Sequence, residues 1–322
     1  MTAISDFLNL HFRHFNARET VDAAKAWRRH VAEGGEMLLA MAGAMSTAEI
    51  GISLSQIIRQ GKIHAISCTA ANLEEEIFNL FAHNDYAMVP GYRDLSPEEE
   101  AKLRDRGMNR VTDTCIPETV MRKTEKHLVS LWSKAAATKQ PKFPYEFIYA
   151  LLDIPGIEEG FEIPAEHSWI LAAKEMNIPV YTPGFEDSTL GGIFTANVMM
   201  GNVEGHYAVK SGTQQLQHLA DWYCQRVETN TPVGIFQIGG GIAGDFPISV
   251  VPMLIQDFQK EVPYWAYFAQ ISDSTTSYGS YSGAVPNEKI TWEKVDVDTP
   301  KFMINSDASI VAPLIFAYVL GQ

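Results

Sequence analysis

The chain has 322 residues, with 25 Lys+Arg against 39 Asp+Glu and a formal net charge of −14. That surplus argues against nucleic acid as a partner, because phosphate recognition needs a basic stripe. It favours cationic small molecules, whose local concentration an acidic surface raises. At 46% hydrophobic and 20% charged residues the composition is that of an ordinary globular protein, and three scattered cysteines (Cys68, Cys115, Cys224) argue against a disulfide scaffold and for a reducing compartment.

The N-terminus has no uncharged apolar core of a signal peptide, and the longest apolar run, Ala308 to Leu320, is too short for a membrane span. The expectation is a cytoplasmic protein with no membrane partner. Residues 1–35 read as a helical extension ahead of one domain at 36–322. Within it, Met37–Ala42 reads as a buried strand, Ser53–Arg59 as a helix and Ile63–Cys68 as a strand. Asn72 with Glu75 three residues on reads as the capped start of a helix, and Ser96-Pro97-Glu98-Glu99 as a second start that Gly107 closes. Helices follow at Glu118–Ala137 and His167–Met176, then a strand at Ile178–Tyr181. A helix at Gln214–Val227, a strand at Val233–Ile238 and a helix at Ile248–Phe258 come next. Strands at Tyr264–Ile271 and Phe302–Asn305 and a helix at Ala308–Leu320 complete the series. Short strands alternating with helices predict an α/β fold with a doubly wound, mostly parallel, Rossmann-like sheet in a single domain.

In such a sheet ligands collect where strands turn into helices. Gly239-Gly240-Gly241-Ile242-Ala243-Gly244 fits the G-x-G-x-x-G dinucleotide pattern after a strand, but the acid expected about 20 residues on is missing, Asp273 lying further away. A tight turn needing positive φ explains the glycines equally. The turns Cys68–Asn72, Pro183–Gly192 and Asn305–Ser309 carry hydroxyls and carboxylates able to bond a ribose or phosphate, and helix capping is the competing explanation for Asn72 and Asp307. Ser272–Lys294 is the most unusual segment, a long hydroxyl-rich loop closing on Glu288, Trp292 and Lys294. On an extended segment Trp292 and Lys294 would share a face, and an apolar wall favours a neutral, nucleophilic amine of the kind that forms Schiff bases. An exposed lysine is the plainer reading. Histidines are absent after His218, and the motifs of serine hydrolases, Walker loops and zinc sites are missing, so no metal is expected.

The run Ser280–Lys294 (SYSGAVPNEKITWEK) followed by Ser306-Asp307-Ala308-Ser309 resembles the signature of the deoxyhypusine synthase family. Cys68–Glu75 resembles that family's first cofactor turn, Gly107-Met108-Asn109-Arg110 its central landmark, and Pro183–Gly191 and Gly239–Gly241 match in order and spacing. The likeness runs from about Met37 to the C-terminus and is greatest to the bacterial deoxyhypusine synthase-like branch, which includes homospermidine synthases. It implies an NAD-dependent aminobutyl transfer between polyamines through an imine on a lysine, here Lys294. It further implies that Glu288, Trp292, Thr189 and Tyr281 meet the substrate, and that Thr69, Ala70, Glu75, Asp187, Gly239, Gly240, Asp273, Ser274, Asp307 and Ala308 hold NAD. It also implies a homotetramer with sites at the tight dimer interface. The sequence adds its own hint: the loop Ser272–Gly283 is too long and polar to fold on itself, and its Tyr278 and Tyr281 suit a subunit interface, a mobile lid on a monomer being the competing reading.

Several positions depart from the family pattern. Asp245 stands where a histidine is usual and would have to act as the base. Tyr281, Tyr278 and Gly192 replace aspartates, Asp273-Ser274 replaces a Thr-Ala pair, and Glu293 stands where a glycine is usual. A carboxylate at Glu293 must point away from Lys294 for the chemistry to survive. The changed grips point to a changed amine. Homospermidine-type synthesis is therefore ranked ahead of true deoxyhypusine synthesis on a translation-factor precursor, and a non-catalytic NAD- or polyamine-binding role is the third reading.

Overall fold

The computed structural model describes residues 3–276 and 279–322. Its nine strands, in chain order, are β1 (Glu36–Met41), β2 (Ala65–Cys68), β3 (Ala87–Met88), β4 (Met108–Val111), β5 (Thr114–Pro117), β6 (Val180–Tyr181), β7 (Val233–Ile238), β8 (Tyr267–Ser272) and β9 (Lys301–Asn305). Six form one sheet in the order β6-β2-β1-β7-β8-β9, and every pairing in it is parallel. This is the doubly wound, single-domain α/β fold expected. The chain steps outward from β1 through β2 to β6, then returns to β7 on the other side, so the crevice of a topological switch opens between the carboxyl ends of β1 and β7.

A parallel sheet is covered on both faces, and the strands show it residue by residue. Met37, Leu39 and Met41 of β1 join the core on one face, while Leu38 and Ala40 join the core on the other. Phe236 of β7 packs on Trp27, ring centroids 4.7 Å apart. The described part of the segment set apart above as an extension forms helices Ile4–His11 and Phe15–Ala32. Leu8 and Trp27 are completely buried in this same core, and Ala23 accepts a hydrogen bond from the Tyr267 hydroxyl of β8.

Several local expectations are corrected. Thr69, not Asn72, caps helix Ala70–Ala82, its hydroxyl accepting from the Asn72 amide. Asn72 is buried inside that helix, where its side chain ties down the segment after β1 through Ser46 N–H and the Gly43 carbonyl. The helix expected at Ile248–Phe258 starts instead at Gly241, directly after the glycine turn, and runs to Ile248. Beyond it a short turn, Val250–Pro252, passes into a π-helical turn, Met253–Asp257. Pro247 and Pro252 each lack the N–H a continuous helix would use. The sequence reading also missed the antiparallel sheet β3-β5-β4 and helices Pro144–Leu152 and Thr189–Met199. The capping box at Ser96 is present as expected.

Candidate active site

Lys294 lies in the turn after the short 3-10 segment Pro286–Ile290, its backbone carbonyl accepting from Trp265 N–H at 3.1 Å. The side chain turns inward: the residue is 8% exposed, and Nζ donates to Asp245 Oδ1 at 2.9 Å. Asp245 reaches it from helix Gly241–Ile248, which follows β7, while Lys294 itself comes from the loop after β8. The ammonium is 5.5 Å from the Tyr281 ring and 5.8 Å from the Trp292 ring. These residues, with Glu288 and Lys289, line a pocket of about 650 Å³. Two neighbouring strand ends thus bring together a buried amine, a carboxylate in contact with it and two aromatic faces.

The expected extended geometry at Trp292 and Lys294 is not found. Residues 291–293 form a turn in which Glu293 has φ 55°, so Trp292 stands on the solvent side of the amine and is 62% exposed. The left-handed conformation at Glu293 gives a physical reason for a glycine there. Its carboxylate points away from Lys294 and accepts from Gln256 Nε2 at 2.7 Å. Tyr281 meets the pocket with its ring; its hydroxyl is spent on Gln237 Oε1 at 2.8 Å. Glu288 is exposed at the rim. The loop preceding this pocket does fold on its own chain over its described part, against the expectation. Ser282 Oγ accepts from Gly241 N–H, and Gly283 packs against the Thr275 carbonyl. Tyr278 lies outside the described residues.

Lys289 was missed. It is 3% exposed, and its Nζ lies 4.8 Å from the Phe268 ring and 5.0 Å from the Tyr281 ring. Burial, reinforced by the positive charge of Lys294, pushes its pKa down to about 8. No spacing rule distinguishes this lysine from a surface one; only the fold, which brings Phe268 of β8 and Tyr281 over it, does so.

The residues expected to hold NAD gather along the carboxyl edge of the sheet. Thr69 and Ala70 follow β2, Asp187 follows β6, Gly239 and Gly240 follow β7, Asp273 and Ser274 follow β8, and Asp307 and Ala308 follow β9. Two also cap helices: Thr69 caps Ala70–Ala82, and Asp307 Oδ1 accepts from Ser309 N–H at 2.8 Å. Gly239 has φ +73°, but a Cβ on Gly240 would meet Ser282 Oγ at 2.0 Å, so the loop of the same chain already fills that side of the glycine turn. The open ground is at Gly43, φ +68°, where a Cβ would meet nothing within 4 Å. It adjoins the first turn of helix Ala70–Ala82, since Thr69 donates to the Gly43 carbonyl at 2.9 Å. Unfilled space beside a helix N-terminus, with exposed carboxylates at Asp187 and Asp307, suits a dinucleotide.

Glu75 and Thr189 are not brought to Lys294. They line a separate pocket of about 310 Å³ together with Glu74, Asn109 and Glu118. Glu75 is 7% exposed with Oε2 unpartnered, and burial pushes its pKa up to about 7. Among the described residues there is no group of three or more His, Cys, Asp or Glu able to hold a metal ion, and no helix is long and apolar enough to cross a membrane.

Fold and pocket together define a Rossmann-ordered α/β protein with a buried lysine at the carboxyl edge of its sheet. The chain matches the family model of deoxyhypusine synthase over residues 9–319 and belongs to that family, whose chemistry is NAD-dependent aminobutyl transfer. It is 28% identical over 99% of its length to a "Deoxyhypusine synthase-like protein" of Nostoc punctiforme, covering 80% of that protein. It is 25% identical over 96% of its length to "Probable deoxyhypusine synthase 1" of Archaeoglobus fulgidus, covering 90%. A crystal structure assigned to deoxyhypusine synthase from Entamoeba histolytica shares the fold, with a TM-score of 0.59 at 13% identity, over 99% of this chain and 94% of the other.

Proposed function

We propose that this protein transfers an aminobutyl or similar aminoalkyl group between polyamines, of the homospermidine-forming type, with NAD as cofactor and an imine on Lys294 as intermediate. The observation that carries the reading is a buried amine held at 2.9 Å by a carboxylate inside a pocket with aromatic walls. Thr69, Ala70, Asp187, Gly239, Asp273, Ser274, Asp307 and Ala308 would hold NAD along the sheet edge, which when bound takes a hydride from a carbon next to an amine and later returns it.

Asp245 accepts a proton from Lys294 Nζ, freeing the lone pair. The amine adds to the carbon of the donor imine, a C–N bond forms, and the donor's remaining amine leaves with a proton. A second amine then displaces Lys294 from that carbon by the same exchange. Trp292 and Tyr281 offer their ring faces to substrate ammonium groups and Glu288 offers a carboxylate at the rim. Asp245 is well placed for this because it is half exposed and can pass its proton to water.

We also propose that the working site is shared between subunits of an oligomer. The separation of Glu75 and Thr189 from the Lys294 pocket supports this, as do apolar side chains left exposed near the sheet's carboxyl edge: Ile242 (53%), Trp292 (62%) and Ile310 (62%). Sedimentation at micromolar concentration reads the assembly, and mixed Lys294→Ala and Asp307→Ala proteins should partly complement each other. A stable, active monomer overturns the shared site.

The chemistry is tested by incubating the protein with NAD and spermidine or putrescine, reducing with borohydride and locating the adduct by mass spectrometry. The expected result is an aminobutyl group on Lys294 in the wild type, none in Lys294→Ala, and homospermidine among the products. Full activity of Lys294→Ala overturns the mechanism. Tight NAD binding with no adduct from any amine supports a binding protein instead, and label passing from spermidine to a protein lysine supports true deoxyhypusine synthesis.

A further inference from the structure

The Lys294 pocket contains a second ammonium that the reaction above does not use. Lys294 has Asp245 as its counter-charge. Lys289, behind it, has no carboxylate within ion-pair distance among the described residues, and its one hydrogen bond, to the Ala284 carbonyl, is 3.4 Å long. An ammonium carries three N–H donors, and a buried one without partners is costly. The surrounding groups are two aromatic rings, the like charge of Lys294, and the more distant carboxylates of Glu288 and Asp245. A purely cationic substrate would add further positive charge to this end of the pocket. A substrate carboxylate would supply the missing counter-charge, while Glu288 and Asp257 at the other lining positions could take its ammonium.

We propose that one of the two amines exchanged in this pocket is an amino acid, a primary amine that also bears a carboxylate, and that Lys289 receives the carboxylate. This rests on the reading of the pocket as an amine-transfer site and narrows its substrate class. The depressed basicity of Lys289 fits: a group ionised only below about pH 8 binds an anion at neutral pH and releases it in alkali.

The test compares matched pairs on the full-length protein with NADH in place of NAD, so that no amine is oxidised: ornithine against putrescine and lysine against cadaverine, by titration calorimetry. Each pair differs only in the carboxylate. The wild type should bind the carboxylate-bearing member at least tenfold more tightly, with the preference falling as pH rises from 7 to 9. Lys289→Met should abolish the preference and Lys289→Arg should keep most of it. Should Lys289→Met not fold, competition on the wild type decides: butyrate should displace ornithine where n-butylamine at the same concentration does so less. Equal or tighter binding of the diamines, or a preference that survives Lys289→Met, overturns the proposal. Binding is read here without chemistry, so absence of a borohydride-trapped adduct on Lys294 would count against the transfer mechanism and leave this result standing.

Discussion

The two sides of the sheet's carboxyl edge both bury charge, and they do it differently. On the β2 side, helix Ala70–Ala82 places Glu74, Glu75 and Glu76 in succession, all nearly inaccessible. Glu74 accepts from the Thr189 and Leu190 amides at 3.1 and 2.7 Å, and Glu76 accepts from Ser168 Oγ and the Trp169 amide, both at 2.8 Å. Glu74 and Glu76 each cap the first turn of another helix, where orphan N–H groups and the helix dipole partly offset the burial that raises both their pKa values. On the β8 side, Lys294 meets a carboxylate and Lys289 meets almost nothing. Buried charges whose partners are backbone amides hold the fold. Buried charges with capacity left over, Lys289 and Glu75, line pockets and mark where a ligand is to be sought.

The comparison can be broken by removing one charge of each kind. Glu76→Ala leaves the Trp169 amide and the Ser168 hydroxyl buried without their acceptor, and should cost about 3 kcal/mol or more in urea unfolding. Lys289→Met should act in the opposite sense, because the folded protein carries an ammonium it does not solvate. The lysine's pKa falls from 10.5 to about 8 on folding. Below pH 8 both states are charged and the full penalty is present. Between pH 8 and 10.5 the folded state sheds its proton first and the penalty fades. At pH 7 the variant should therefore be more stable by up to roughly 3 kcal/mol, and the gain should shrink as pH rises through that window. A destabilised Lys289→Met with no pH dependence would place this lysine with the structural charges.

Glu75→Gln sharpens the same contrast on the acidic side, with a smaller effect. Burial raises its pKa from 4.5 to about 7, so the folded state resists ionisation. The penalty is absent below pH 4.5, grows between 4.5 and 7, and is complete above 7. The neutral amide should gain about 1–2 kcal/mol at pH 8 and nothing at pH 4.5, measured by thermal unfolding of the protein without NAD.

Strands β7 and β9 and the closing helix Ala308–Leu320 were legible because local pattern and turn chemistry agree there: apolar runs bounded by glycine, proline or an Asp cap. Lys294 is singled out in the sequence by the run around it. The partners of these residues are not, because they come from elsewhere in the chain: Asp245 from forty-nine positions away, and Ser282 over Gly240. Lys289 and Glu76 look like surface residues in any local window. Their burial is a property of what Phe268, Tyr281 and helix Trp169–Glu175 bring against them.

Glu293 joins these two kinds of knowledge, and its substitution should have the smallest effect. Its place beside Lys294 is visible in the sequence, while its φ of 55° appears only in the fold. A non-glycine residue in that conformation is strained by about 1 kcal/mol, and glycine relieves the strain but gives the unfolded chain more freedom to lose. Glu293→Gly also removes the acceptor of the Gln256 side chain, an exposed contact of little weight. These effects nearly cancel, so stability should stay within about 1 kcal/mol of the wild type. Glu293→Val keeps the positive φ, adds a β-branch and should lose about 1–2 kcal/mol. The left-handed turn directs Nζ of the next residue at Asp245, so the yield of borohydride-trapped adduct on Lys294 should be kept by the glycine variant and reduced by the valine one. Equal adduct yields in both would show that the turn's conformation does not aim the lysine.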